Sequence, residues 1–147
     1  MHRAVTFREA AAADLSVMEA LLIAAELSLE GVQAHLADFV LAIQGNEVVG
    51  VAGLERYGPH ALLRSVAVRA DHQGRGLGQS LTRATEAGLE TLTLLTTTAA
   101  NFFPKLGFRP VTRDALPAAL QASSQLRGIC SASATVMHLT LRHGRPE

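Results

Sequence analysis

Three glycines fall within five residues in Gln73-Gly74-Arg75-Gly76-Leu77-Gly78, between a run of strand formers and a helical pattern. Glycines let a backbone turn tightly and aim several N–H groups at one point. The helix that follows adds its unpaired first-turn N–H groups and the positive end of its dipole. The expected product is an anion cradle suited to phosphate, with the charge of Arg75 nearby. Two common phosphate loops do not fit. A Walker A loop needs Gly-Lys-Ser/Thr, and Gly78 is followed by Gln79-Ser80. A dinucleotide fingerprint needs a third glycine where Gln79 stands, after the first strand of a βαβ unit. A flexible strand–helix connection with no ligand is the alternative reading.

A second group lies upstream. Arg64 interrupts the apolar run Leu62-Leu63-Arg64-Ser65-Val66, and an arginine there must find a carboxylate, a carbonyl or a ligand. Two readings stand. Arg64 and Glu55 form a structural ion pair across neighbouring strands, or Arg64 binds a substrate carboxylate while Glu55, directly or through water, acts as a base. The six histidines include no i,i+4 metal-type pair. His60 and His72 fall in expected loops and read as solvated surface. Thr96-Thr97-Thr98 could hydrogen-bond a ligand at a strand end, although Thr is also an ordinary strand residue. Phe102, Phe103 and Phe108 read as core, and Arg109, Arg113 and Arg127 as surface charges or contacts to an anion.

The elements that must position these residues follow from pattern. Residues 4–8 alternate as an opening strand. Asp14 caps a helix with apolar positions Leu15, Met18, Leu22 and Ala25, and a short helix is expected at 32–37. Residues 39–44 and 47–54, joined by Gly45-Asn46, read as an antiparallel hairpin. Gly58-Pro59 breaks the chain, and 61–68 supplies the next strand. A helix follows the glycine loop on Leu77, Leu81 and Ala84, with Gly88 placed to end it. Residues 89–98 form a fifth strand, 101–106 a short helix closed by Gly107-Phe108, 117–124 a helix, and 134–141 a final strand. This mixture reads as one α/β or α+β three-layer domain over residues 1–147.

Composition sets the bounds. Thirteen Lys plus Arg balance thirteen Asp plus Glu, so there is no basic footprint for nucleic acid and no polybasic membrane signal. The single cysteine, Cys130, excludes an intrachain disulfide and a Cys-rich zinc site. No apolar run approaches the roughly 20 residues of a membrane helix, and the N-terminus lacks a signal-peptide core. The expectation is a cytoplasmic protein with no metal.

In context the loop is more specific. Ser65-Val66-Ala67-Val68, a four-residue spacer and Gln73-x-x-Gly76-x-Gly78 resemble motif A of the GCN5-related N-acetyltransferases. Asn101-Phe102-Phe103-Pro104-Lys105-Leu106-Gly107-Phe108 resembles that family's motif B. The resemblance implies a three-layer α/β/α fold whose mixed, mostly antiparallel sheet splays between its fourth and fifth strands. It implies acetyl-CoA as co-substrate, its pyrophosphate on Gln73, Gly74, Arg75, Gly76, Leu77 and Gly78. The pantetheine arm would lie along Val66, Ala67 and Val68, with Asn101 and Phe102 completing the site. The Val66 N–H would serve as oxyanion donor, and the amine would attack the thioester directly, with no enzyme nucleophile required. Phe103 stands where the family usually has a proton-donating tyrosine, and Tyr57, Ser123 and Cys130 are the candidate replacements.

Several stretches are similar to the arsenic-resistance subgroup of that family: Glu30-Gly31-Val32 with His35-Leu36, Gly50 to Glu55 with Tyr57-Gly58, Leu62 to Val68, Leu94 to Ala99, and Gly128 to Ala134 with Met137. This implies a small amino-acid-like amine, an arsenical among them, as acceptor, with Arg64, Tyr57, Thr97 and Cys130 toward it. An amino-acid acetyltransferase resembling N-acetylglutamate synthase, a non-catalytic CoA-binding or regulatory module, and a metalloid sensor using Cys130 are the alternatives. A homodimer is expected from the family habit.

Overall fold

The computed structural model describes residues 4–86, 88–96, 102–118, 120 and 135–141. Thr97, Asn101, Ser123 and Cys130 lie outside them, as do Arg127 and most of the helix expected at 117–124. Among the described residues, seven strands and two α-helices follow in chain order: β1 (Val5–Glu9), α1 (Leu15–Ala24), β2 (Phe39–Gln44), β3 (Glu47–Tyr57), β4 (His60–Val68), α2 (Leu77–Ala84), β5 (Thr91–Thr96), β6 (Arg109–Pro110) and β7 (Thr135–Thr140). The strand order is β1-β2-β3-β4-β5-β7-β6. The β1/β2, β2/β3, β5/β7 and β6/β7 pairs are antiparallel, and β4/β5 is parallel. The mixed sheet of the expectation is therefore present. The β4/β5 register covers only His60–Leu62 against Thr91–Thr93, so the two strands part company beyond Leu62.

The chain forms two compact units, Met1–Leu54 with Ser65–Thr85, and Glu55–Arg64 with Glu86–Glu147. In the first, α1 lays Met18 and Leu22 on Phe39, Leu41, Val51 and Ala67. Helix α2 packs on the other sheet face, where Leu81 lies so near Gly50 that an added Cβ would come within 2.8 Å of its Cδ1. The hydrophobic period of two in β2 and β3 thus feeds two helical layers. Gly53, three residues beyond Gly50 and so on the α1 face, lies under the Phe39 ring, and a Cβ there would approach Phe39 ring atoms at 2.4 Å. Phe39 is fully buried. Gly53→Ala is therefore expected to overpack this core and cost about 1–3 kcal/mol, read as a lowered urea midpoint.

In the second unit, Leu62, Leu116, Leu120 and Val136 form the buried core, with Tyr57, Leu95 and Val111 packed against it. On the opposite face Leu139 reaches Gly107, whose φ of +100 closes the short helical turn Phe103–Leu106. Phe103 and Phe108 are buried and meet edge to face at 5.6 Å, the core role expected of them.

Local endings differ from the pattern reading. The expected helix at 32–37 is a series of turns ending in a 3-10 turn, Leu36–Asp38. Helix α2 ends at Thr85, and Gly88, although left-handed at φ +79, lies beyond that end. The two-residue strand β6 was not anticipated, since Arg109–Pro110 carries no alternation. Asp14 occupies the N-cap position of α1 but makes no side-chain cap. Its carboxylate instead takes Arg8 at 2.9 Å and the Ala11 N–H at 2.8 Å. Those hydrogen bonds, Arg8 first, hold it down to about 2. A depressed carboxylate contributes stability above its unfolded value near ~4 and loses it as pH falls through the folded value. Arg8 is half exposed, so solvent screens the pair and the contribution is small. The advantage of wild type over Asp14→Asn in urea midpoint should be full at pH 5 and shrink between pH ~4 and ~2.

Candidate active site

The first unit carries the glycine loop. Gly74 and Gly76 hold φ of +83 and +81, and a Cβ built at either meets nothing within 4 Å. Positive φ selects glycine at both places, while the space beside them stays open. Helix α2 starts on Gly76 with no side-chain cap, so its first-turn N–H groups point outward without a side-chain acceptor. Leu77 turns inward and is buried, whereas Gln73, Gly74, Arg75 and Gly76 are exposed. Gln73 folds back, its Nε2 donating to the Val68 carbonyl at 3.0 Å, which ties the loop to the end of β4. This is a backbone nest running into a helix N-terminus, and its donors fit a phosphate group.

The strand that leads into the loop is not regular. Ser65 takes φ +60, a left-handed conformation that costs a non-glycine residue roughly 1–3 kcal/mol. One such residue resets the alternation of backbone groups after it. In β4 the run Ala61–Arg64 is buried throughout, Ser65 and Val66 are half-buried, and Ala67 is buried again. Val66 is the residue immediately after the kink. Sequence pattern gave no sign of this, because serine carries no left-handed signal.

The second unit carries the polar group. Arg64 Nη1 donates to Glu55 Oε2 at 2.8 Å, and Tyr57 OH donates to Glu55 Oε1 at 2.9 Å. The Arg64 and Glu55 side chains are 3% and 1% exposed. Glu55 and Tyr57, two apart on β3, share a face, and Arg64 comes to them from β4. All three sequence candidates are thus brought together. The remaining ones separate: Val66, Ala67, Val68 and the loop belong to the first unit, and Phe102 stacks edge-on with Phe103 at 4.9 Å.

The histidines depart from the surface reading. His60 shares a 2.8 Å hydrogen bond with Thr91, and His138 one with Thr93. Burial first, then His60 and Arg109, push His138 below its ordinary range. His72 is buried and bonded at both ring nitrogens. Nothing in its spacing marked it, because a histidine in a loop is ordinarily solvated. Among the described residues no group of three His, Cys, Asp or Glu could hold a metal ion, and no helix is long and apolar enough to cross a membrane.

Known proteins share this fold. The N-acetylglutamate synthase of Neisseria gonorrhoeae, solved with coenzyme A and N-acetyl-glutamate, superposes with a TM-score of 0.78 at 20% identity over 97% of this chain. The present chain spans about a third of that protein's length, 36%. A Mycobacterium tuberculosis protein solved in complex with CoA matches at TM-score 0.72 and 20% identity, over 92% of this chain and 99% of its own. A GNAT-family acetyltransferase from Staphylococcus aureus matches at 0.75 and 17%, over 95% and 100%. At such identities the likeness is one of fold. No curated protein matches the sequence. The model of the acetyltransferase (GNAT) domain, however, matches residues 35–110, just over half the chain and the stretch from β2 through β4, the glycine loop and α2 to β6. The chain belongs to the GNAT acetyltransferase family.

Proposed function

We propose that the protein is an acetyl-CoA-dependent N-acetyltransferase acting on the primary amine of a small amino-acid-like compound, an amine-bearing arsenical among that class. The observation that carries the cofactor part is the open nest at Gly74 and Gly76 running into the uncapped α2. Gln73, Gly74, Arg75, Gly76, Leu77 and Gly78 would hold the pyrophosphate, and Val66, Ala67 and Val68 the pantetheine arm, with Asn101 and Phe102 beside it. Bound acetyl-CoA supplies an activated acetyl thioester. The Val66 N–H, turned by the kink at Ser65, is the proposed donor to the oxygen on which charge develops.

Glu55, Tyr57 and Arg64 form the proposed acceptor side, with Thr97 and Cys130 joining them. A free amine is needed for attack, so the ammonium must first give up a proton. Glu55 serves as base only by exchanging one of its hydrogen bonds, most simply the one from Tyr57. Tyr57 is the proposed proton donor to the departing thiolate, the task Phe103 cannot perform. A thiol with pKa near ~8.5 needs only modest help at neutral pH, about 2 kcal/mol. The core position of Phe103 supports a second reading, a CoA-binding module without turnover. We further read both units as one domain working in the cytoplasm, with a homodimer as its assembly.

Thiol release from acetyl-CoA, followed with a panel of amino acids, glutamate and amine-bearing arsenicals, tests the assignment. Turnover on at least one small amine is expected. Binding of acetyl-CoA with no turnover on any amine would favour the non-catalytic module.

A further inference from the structure

The four residues between β4 and the loop are tied down more heavily than a connection requires. The Arg69 N–H donates to the Val49 carbonyl at 2.8 Å, and its guanidinium reaches Glu47 at 2.9 Å and Asp71 at 2.7 and 3.1 Å. Asp71 Oδ1 lies 2.9 Å from His72 Nδ1, and His72 Nε2 lies 2.7 Å from Gln44 Oε1. The chain of contacts runs from the start of β3, through the loop's lead-in, to the last residue of β2. Its parts are unequal. The side chains of Glu47 and Asp71 are 69% and 64% exposed, and such surface pairs contribute little. His72 is 6% exposed, so its ring is withdrawn from water. Asp71 Oδ1 is shared with Arg69 Nε, whereas the other ring nitrogen of His72 goes to Gln44 on β2. His72 sits two residues before Gly74.

From this we infer that His72 is a positioning residue for the phosphate loop, bridging Asp71 and Gln44 so that the nest at Gly74 and Gly76 is set before ligand arrives. The inference rests on the loop binding the pyrophosphate of acetyl-CoA. A preset loop need not be ordered on binding, so part of the ordering cost is removed from each binding event. The effect is confined to ligands that carry the pyrophosphate.

That confinement supplies the test. Dissociation constants for CoA and for S-acetyl-pantetheine, which lacks the pyrophosphate, are measured on wild type, His72→Ala, His72→Gln and Gln44→Ala, with melting temperatures alongside. His72→Ala should weaken CoA about 10- to 30-fold, the scale of one or two lost hydrogen bonds, and leave the pantetheine thioester unchanged. His72→Gln, whose amide nitrogen can stand near the Nε2 position, should recover part of the loss. Gln44→Ala should repeat it at smaller size. Unchanged CoA affinity in both His72→Ala and Gln44→Ala would overturn the inference, as would parallel losses for both ligands. Failure of wild type to prefer CoA over the pantetheine thioester would instead refute the loop reading beneath it.

Discussion

Glu55→Gln is expected to destabilise the protein by about 3–5 kcal/mol, the usual cost of removing one partner from a buried ion pair. Both side chains are almost wholly out of water, and the carboxylate already accepts from Arg64 and from Tyr57. Glutamine keeps the shape but takes the Glu55 charge away from the buried guanidinium. A double replacement, Glu55→Leu with Arg64→Met, removes the charge altogether, and its cost should be well under the sum of the single ones. Urea titrations of wild type, Glu55→Leu, Arg64→Met and the double variant close the cycle. A Glu55→Gln cost below about 1 kcal/mol would mean that the pair contributes like a surface contact. The same double variant separates the two readings of the pair. If it folds and still turns over, Glu55 holds structure and is not the base.

Gly76→Asp should weaken acetyl-CoA binding at least ~100-fold while leaving most of the fold's stability intact. Two effects add. The residue holds φ +81, which a side chain adopts only at a cost of about 1–2 kcal/mol. The new carboxylate would then stand in the nest, against a phosphate, where a helix N-terminus otherwise favours the anion. Nothing lies within 4 Å of the built Cβ, so no core is disturbed. Gly76→Ala separates the parts, since it carries the backbone cost without the charge and should lose far less. Titration calorimetry reads both. An Asp variant that binds like wild type would place the phosphate elsewhere.

Much of this frame was legible because it rests on local rules. The β2–β3 hairpin follows from two apolar runs around Gly45-Asn46, and Gly45 does hold φ +64. The glycine loop was readable because glycine alone takes the φ values found at 74 and 76 without a steric cost. The Arg64–Glu55 pair was readable as one of two alternatives, because a guanidinium in an apolar strand demands a partner. What escaped has a common physical reason. The left-handed Ser65 and the two-ended bonding of His72 are set by tertiary neighbours, and no spacing or composition reports them. Asp14 shows the same limit. Its type and place fit a helix cap, but the bidentate fork of Arg8 competed for the carboxylate and won.

Titration of the purified protein with acetyl-CoA tests the central claim most directly. Saturable one-to-one binding is expected, tightening when ionic strength is lowered because the contact is made to phosphate. No detectable binding at millimolar acetyl-CoA would contradict it, and the acetyltransferase reading of the glycine loop would fall with it.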